Sequence, residues 1–291
     1  MVSGIVPPMV TPFTSADEVD ERALRDEVEY LLDCGVDGLC VTGSTGEGAG
    51  LTLEESRRAA QIVVDQVRDR CPVISGVIQN STRVAVDYGR AVKETGIAGL
   101  QVTPVHYLFP PDADASLAFY QAIAASVKLP ILIYNVVPWA FLEPAVLIRI
   151  LRTEPLVVGV KQSGGDMHKL ADLLAMADPE DRIMTAIDDL LLPSFLLGAR
   201  GAIAAILTVL PKQTVSLWAA AQANDLDRAR ALHRDLLSVW RAVEGPNMPA
   251  RVKYALAAQG RSGGLVRQPS AAVDGPAQER IRGALSAAGV I

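Results

Sequence analysis

Short, unbroken apolar runs ending in glycine or a polar residue recur along the chain. A longer stretch follows each, with apolar residues returning every three or four positions. The runs fall at residues 4–6, 38–41, 73–77, 99–103, 131–134, 157–161, 183–186 and 202–206. They are rich in Val, Ile and Leu and do not alternate, as expected of parallel strands covered on both faces. Between them the spacing predicts helices, among them 21–33, 53–70 and 82–94. Thr52, followed three residues later by Glu55, predicts a capping box, and Gly35, Gly96 and Gly198 stand where helices should stop. Strands alternating with helices make βα units, which close into a barrel or spread into an open doubly wound sheet. No G-x-G-x-x-G follows the first run and the units are eight, so the expected fold class is α/β, a (β/α)8 TIM barrel. Beyond residue 208 the strands stop, and 208–223, 225–243, 249–259 and 276–288 read as helices, with 261–269 a loop. The expected organisation is a catalytic barrel over 1–224 and a C-terminal helical extension, 225–291, packed on it.

Composition narrows the classes of function. The chain has 291 residues and a formal charge of −6, with no basic run, which argues against nucleic acid as a partner. The longest near-apolar run, 201–211, is about half of the ~20 residues a membrane helix needs. With no charged n-region before an apolar stretch at the start, a cytoplasmic protein is expected. Cys34, Cys40 and Cys71 lack C-x-x-C spacing and read as free thiols. His106, His168 and His233 form no H-E-x-x-H pattern, and no metal cofactor is expected. Of the 27 basic residues six are lysines, at 93, 128, 161, 169, 212 and 253. That scarcity makes a lysine in an unusual place conspicuous.

In such a barrel chemistry gathers at the carboxyl ends of the strands. Lys161 closes the apolar run from Leu156 and points into the barrel mouth. A lysine there either forms a structural ion pair or serves as an amine nucleophile, since desolvation favours the free amine that attacks a carbonyl. Gly43-Ser44-Thr45-Gly46-Glu47 is either a tight βα turn or a cradle of amides and hydroxyls for a carboxylate. Tyr134 ends an Ile-Leu-Ile run, as an amphipathic core residue or, beside an amine, as a proton relay. Asp188 and Asp189 follow the seventh run, and either bind hydroxyls or cap the next helix.

Together these residues resemble the dihydrodipicolinate synthase/N-acetylneuraminate lyase family of Schiff-base-forming class I aldolases. The resemblance runs from Pro8-Met9-Val10-Thr11-Pro12-Phe13 to the C-terminal helices. It is carried by Gly43-Ser44-Thr45-Gly46-Glu47, Val102-Thr103-Pro104, Tyr134-Asn135, Gly159-Val160-Lys161 and Gly201-Ala202-Ile203. It implies a lyase in which Lys161 forms an imine with pyruvate or a related 2-keto acid, with no other cofactor, and makes or breaks a C–C bond to an aldehyde. Ser44 and Thr45 would hold the keto-acid carboxylate, Tyr134 would shuttle protons, and Ile203 would offer backbone beside the substrate. Asp188 would bind hydroxyls of the aldehyde. The resemblance also implies a homodimer or homotetramer.

Three departures from the family pattern bear on substrate. The usual Tyr-Tyr after Thr-Pro reads Val105-His106-Tyr107, so His106 or Tyr107 would complete the proton relay across the dimer. After Tyr134-Asn135 there is an extra residue before Pro138 and no arginine, which removes a contact to a second carboxylate. Ile187 replaces the glycine before the acidic pair. The alternatives are a 4-hydroxy-tetrahydrodipicolinate synthase with its second carboxylate contact elsewhere, a 2-keto-3-deoxy sugar acid aldolase or dehydratase, and a non-catalytic keto-acid binding protein.

Overall fold

The computed structural model describes residues 2–291. Eight strands form one parallel sheet: β1 Gly4–Ile5, β2 Leu39–Val41, β3 Val73–Val77, β4 Gly99–Val102, β5 Ile131–Asn135, β6 Val157–Gln162, β7 Arg182–Thr185 and β8 Gly201–Ala202. The helices are α1 Glu21–Asp33, α2 Leu53–Val67, α3 Thr82–Lys93, α4 Ala113–Val127, α5 Pro144–Thr153, α6 Met167–Met176, α7 Leu191–Leu196, α8 Ala205–Val209, α9 Pro211–Gln222, α10 Leu226–Val243, α11 Met248–Ala258 and α12 Gly275–Ala287. From β2 to β8 each strand pairs with its sequence neighbours, and β1 pairs with β8. Between β1 and β2 the circle closes through the segment after β1: Cys40 N donates to Pro7 O at 3.0 Å, and Met9 N to Cys40 O at 2.8 Å. The molecule is the expected (β/α)8 barrel with C-terminal helices.

Alternation along the strands divides the apolar residues. Ile131 and Ile133 face the helices and join the main core, whereas Leu132 turns inward. With Val2, Val6, Cys40, Ile74, Met184 and Ile203 it fills the barrel. In register, Tyr134 lies beside Lys161, and Lys161 beside Met184. Lys161, Tyr134 and Met184 therefore share the inward face, on the mouth side of Leu132.

Local chemistry explains most element ends. α1 is capped by Asp20, whose side chain accepts from Ala23 N, and it buries Leu24, Val28 and Leu31 at helical spacing. The Thr52–Glu55 capping box opens α2. That helix stops at Val67, short of the expected residue 70, because Arg68 takes the left-handed conformation, φ 49°.

The largest departures lie near β8. A strand over 202–206 was expected; β8 ends at Ala202, and Ala205 already begins α8. The run is buried throughout, so its pattern cannot separate a strand from a buried helical turn. The helix expected over 208–223 is broken at Leu210 (φ −127°, ψ 60°), immediately before Pro211, which disfavours helical backbone in its predecessor. At the β1–β8 seam a Cβ on Gly201 would lie 2.0 Å from Gly4 O, so only glycine lets these backbones meet.

The loop over 261–269 folds back from the C-terminal helices onto the barrel. Leu265 and Phe13 exchange backbone hydrogen bonds. Buried Arg261 forks onto Glu27 of α1 and donates to Thr208 O and Val209 O.

Candidate active site

Lys161 is only 4% exposed. Its ammonium has neither a hydrogen bond nor an ion pair to the described residues, and Nζ lies 3.8 Å from the centroid of the Tyr134 ring. Buried charges are ordinarily paired. The contrast is Lys253, equally buried, whose Nζ donates to Glu47 Oε1 at 2.6 Å. Of the two roles open to Lys161, the structural ion pair is excluded by this geometry.

Above it opens a cavity of about 300 Å³ lined by Thr45, Tyr134, Lys161, Asp188 and Ile203, with Val136, Ser163, Trp240 and Met248 among the remaining wall residues. Ser44 joins through Tyr134, whose hydroxyl donates to Ser44 Oγ at 3.1 Å. Six of the residues singled out from sequence thus converge at one strand-end mouth. A cleft of about 470 Å³ at the opposite end, around Gly4, Asp37 and Arg200, is larger but has no lysine among its described lining residues.

The loop after β2 is built to leave donors free. Thr42 adopts φ 56° and anchors its hydroxyl on Ser75 Oγ and Gly76 O. The turn closes through Glu47 N to Ser44 O and Gly48 N to Gly43 O. A Cβ at Gly48 would lie 1.8 Å from Thr42 O, so the crossing admits only glycine. The amides of Ser44 and Thr45 have no acceptor among the described residues. Two free N–H groups beside two hydroxyls suit a carboxylate.

The acidic pair is divided. Asp189 turns outward to Arg241 of α10, at 2.8 Å. Asp188 keeps part of its surface exposed, but its carboxyl is set in the cavity wall, where Oδ1 accepts from Ile206 N at 2.8 Å. Burial pushes that carboxyl up to about 7; the Ile206 amide and the Lys161 charge oppose the shift without cancelling it. Neither side chain caps the helix that follows.

His106 and Tyr107 stand outside the cavity of their own chain. The imidazole Nδ1 lies 3.0 Å from Pro104 O, and Asn80 Oδ1 accepts from the amides of both residues. Tyr107 is 71% exposed, within a surface strip that also holds Leu108, Phe109 and Trp139. Trp139 Nε1 donates to His106 O at 2.7 Å, tying the loop after β5 to the loop after β4.

Sequence reasoning assigned no role to several residues that build the site. Asn135 is buried and clamps both backbone groups of Leu142, fixing the loop after β5. Ser163, two residues past Lys161 and so on the same face, lines the cavity with its buried hydroxyl unpaired. That two-residue offset was the available signal. Lys253 and Asn80 had none, because their partners are remote in sequence.

A model of the dihydrodipicolinate synthetase family matches residues 1–288. The chain belongs to the dihydrodipicolinate synthetase family. Members are lyases of the Schiff-base, class I aldolase type, and so is this chain. It is 34% identical over 292 residues to a 4-hydroxy-tetrahydrodipicolinate synthase of Nitratidesulfovibrio vulgaris strain DP4, with 99% of each chain covered. To the synthase of Methanopyrus kandleri strain AV19 it is 31% identical over 293 residues, covering 100% of this chain and 97% of that one. Among solved structures, a prophage protein of the dihydrodipicolinic acid synthase family from E. coli K12, in complex with pyruvate, superposes with a TM-score of 0.95. It is 26% identical, and both chains are fully covered. A monomeric dihydrodipicolinate synthase variant gives the same TM-score and identity over 99% of this chain and 97% of that one. The mouth described above stands at the carboxyl ends of the strands, where chemistry gathers in barrels of this fold.

Proposed function

We propose that Lys161 forms an imine with pyruvate or a related 2-keto acid and that the chain makes or breaks a C–C bond between that keto acid and an aldehyde without a second carboxylate. The observation that carries this is the unpaired, buried Lys161 ammonium under a cavity with free carboxylate-binding amides. Deprotonated Nζ attacks the keto carbon, and the carbinolamine loses water to give an iminium. That iminium is the electron sink. Loss of a C3 proton, or cleavage of the C3–C4 bond, leaves an enamine, which attacks an aldehyde in the synthetic direction. The Ser44 and Thr45 amides and hydroxyls hold the carboxylate, Tyr134 passes protons to and from the carbinolamine oxygen through Ser44, and Ile203 supplies backbone beside the substrate. Asp188, protonated up to near neutral pH, donates to a hydroxyl of the aldehyde. No metal or organic cofactor enters these steps.

His106 or Tyr107 completes the relay in a second copy of the chain. Their position outside their own cavity and the exposed strip around Tyr107 support a homodimer, or a homotetramer built from it.

The aldehyde follows from the wall. Among the described residues Lys161 is the only basic one lining the cavity, and Val136, Trp240 and Met248 are apolar. A second carboxylate would have no cation of its own and would stand beside Asp188. The competing reading, 4-hydroxy-tetrahydrodipicolinate synthase, is favoured by the names of the relatives at 31–34% identity.

Borohydride with pyruvate should trap a covalent adduct on Lys161, and Lys161→Ala should abolish it. Trapping undiminished in that variant would remove the mechanism. Turnover of pyruvate with aspartate semialdehyde, compared with uncharged aldehydes, separates the two substrate readings. Faster turnover of the semialdehyde would favour the synthase.

A further inference from the structure

Glu47 sits at the far end of the turn that presents Ser44 and Thr45, in the left-handed conformation, φ 57°. One carboxylate oxygen receives Lys253 Nζ at 2.6 Å, and the other receives the Arg267 amide at 3.0 Å. Lys253 comes from α11, is 3% exposed, and donates a second hydrogen bond to Leu265 O. Its third side faces the Phe13 ring, 4.6 Å away. Arg267 in turn forks onto Glu55 of α2 and reaches Asp17. Apart from Lys253 to Leu265 O, these contacts join the C-terminal segment to the barrel.

We infer that the buried Lys253–Glu47 pair is a positioning device, through which the C-terminal helices hold the Ser44–Thr45 turn in its substrate-binding shape. The turn transmits position because its two closing bonds, Glu47 N to Ser44 O and Gly48 N to Gly43 O, span it from end to end. Ser44 in turn accepts from Tyr134, beside Lys161. A displaced Glu47 therefore reaches the carboxylate-binding amides of Ser44 and Thr45, while Tyr134 stays fixed by its own strand. Stability alone does not require an ion pair here, since apolar residues of equal volume serve a buried site as well or better. What the pair adds is direction: one ammonium fixes one carboxylate oxygen while a backbone amide fixes the other.

The inference rests on the imine reading above, and its test separates the two. Glu47→Gln and Lys253→Met are prepared in the full-length chain. The pyruvate concentration giving half-maximal borohydride trapping should rise on the order of 10-fold in each, with trapping at saturation retained and kcat changed less than about 3-fold. Hydrogen exchange should quicken on the order of 10-fold over residues 43–50 and stay unchanged in β3 to β6. If Lys253→Met does not fold, Glu47→Gln, which keeps the lysine and the shape of the side chain, carries the test. Unchanged half-saturation in the folded variants overturns the inference, even where their melting points fall. If the wild-type chain itself is not trapped by pyruvate, the imine reading fails. Exchange over 43–50 then decides alone, and an unaltered rate overturns the positioning role.

Discussion

Replacing Asp188 with asparagine should stabilise the protein, increasingly so as the pH rises. The substitution keeps the shape of the side chain and the Oδ1 acceptor for Ile206 N while removing the ionisation. The unfolded chain releases this proton near 3.8, whereas burial holds the folded carboxyl protonated up to about 7. Below the lower value both states carry the proton and nothing is gained. Between the two, the unfolded state has lost it and the folded state has not, so wild-type stability falls as pH rises and levels off above 7. A gap of about three units at 1.36 kcal/mol each gives about 4 kcal/mol, which water entering the cavity reduces to a working figure of about 2 kcal/mol. For a chain of this size that corresponds to a midpoint shift of about 4 °C. Thermal midpoints of both proteins between about pH 4.5 and pH 8 measure it, with a difference that is small at the acid end and complete at the other. A difference independent of pH, or a variant less stable at pH 8, would refute the argument.

Arg261→Met should destabilise far more than an average substitution, because it leaves Glu27 buried without its partner; the expected loss is about 3–5 kcal/mol, read from urea unfolding. Burial already raises the Glu27 carboxyl above its ordinary range despite Arg261, so the loss should be smaller at about pH 5, where protonation relieves the stranded charge, than at pH 8. Tyr134→Phe keeps the ring against Lys161 but loses the hydroxyl bonded to Ser44. It should reduce kcat by about 10²–10⁴ while borohydride trapping at saturating pyruvate persists, and near-wild-type turnover would exclude Tyr134 as the proton relay.

The parts of the molecule that were readable in advance are those whose signal is local. Lys161 and Tyr134 each end an apolar run, so their place at the mouth followed from position alone, and the parallel register then set them side by side. The Thr52 capping box is likewise complete within four residues. What escaped was long-range or ambiguous in pattern. Lys253 lies 206 positions from Glu47 and Arg261 lies 234 from Glu27, and no window along the chain contains both partners. Asp188 and Asp189 are adjacent and identical, yet one enters the cavity and the other binds a helix outside the barrel, a division made by the backbone turn. The run that was to form the eighth strand is apolar at nearly every position, so its hydrophobicity carried no directional information where α8 begins.

The glycine-to-glycine seam between β1 and β8 sets an order of events during synthesis. Gly4 leaves the ribosome long before its partner Gly201, which emerges only after seven strands have been made. Until then the nascent chain is at most a curved, open sheet with two bare edges, the kind of surface that recruits chaperones or other unfinished chains. The Lys161 mouth, ringed by loops from both sides of that seam, takes shape last. A chain interrupted before Gly201 would carry Lys161 and still lack the closed wall of β8 that completes its pocket.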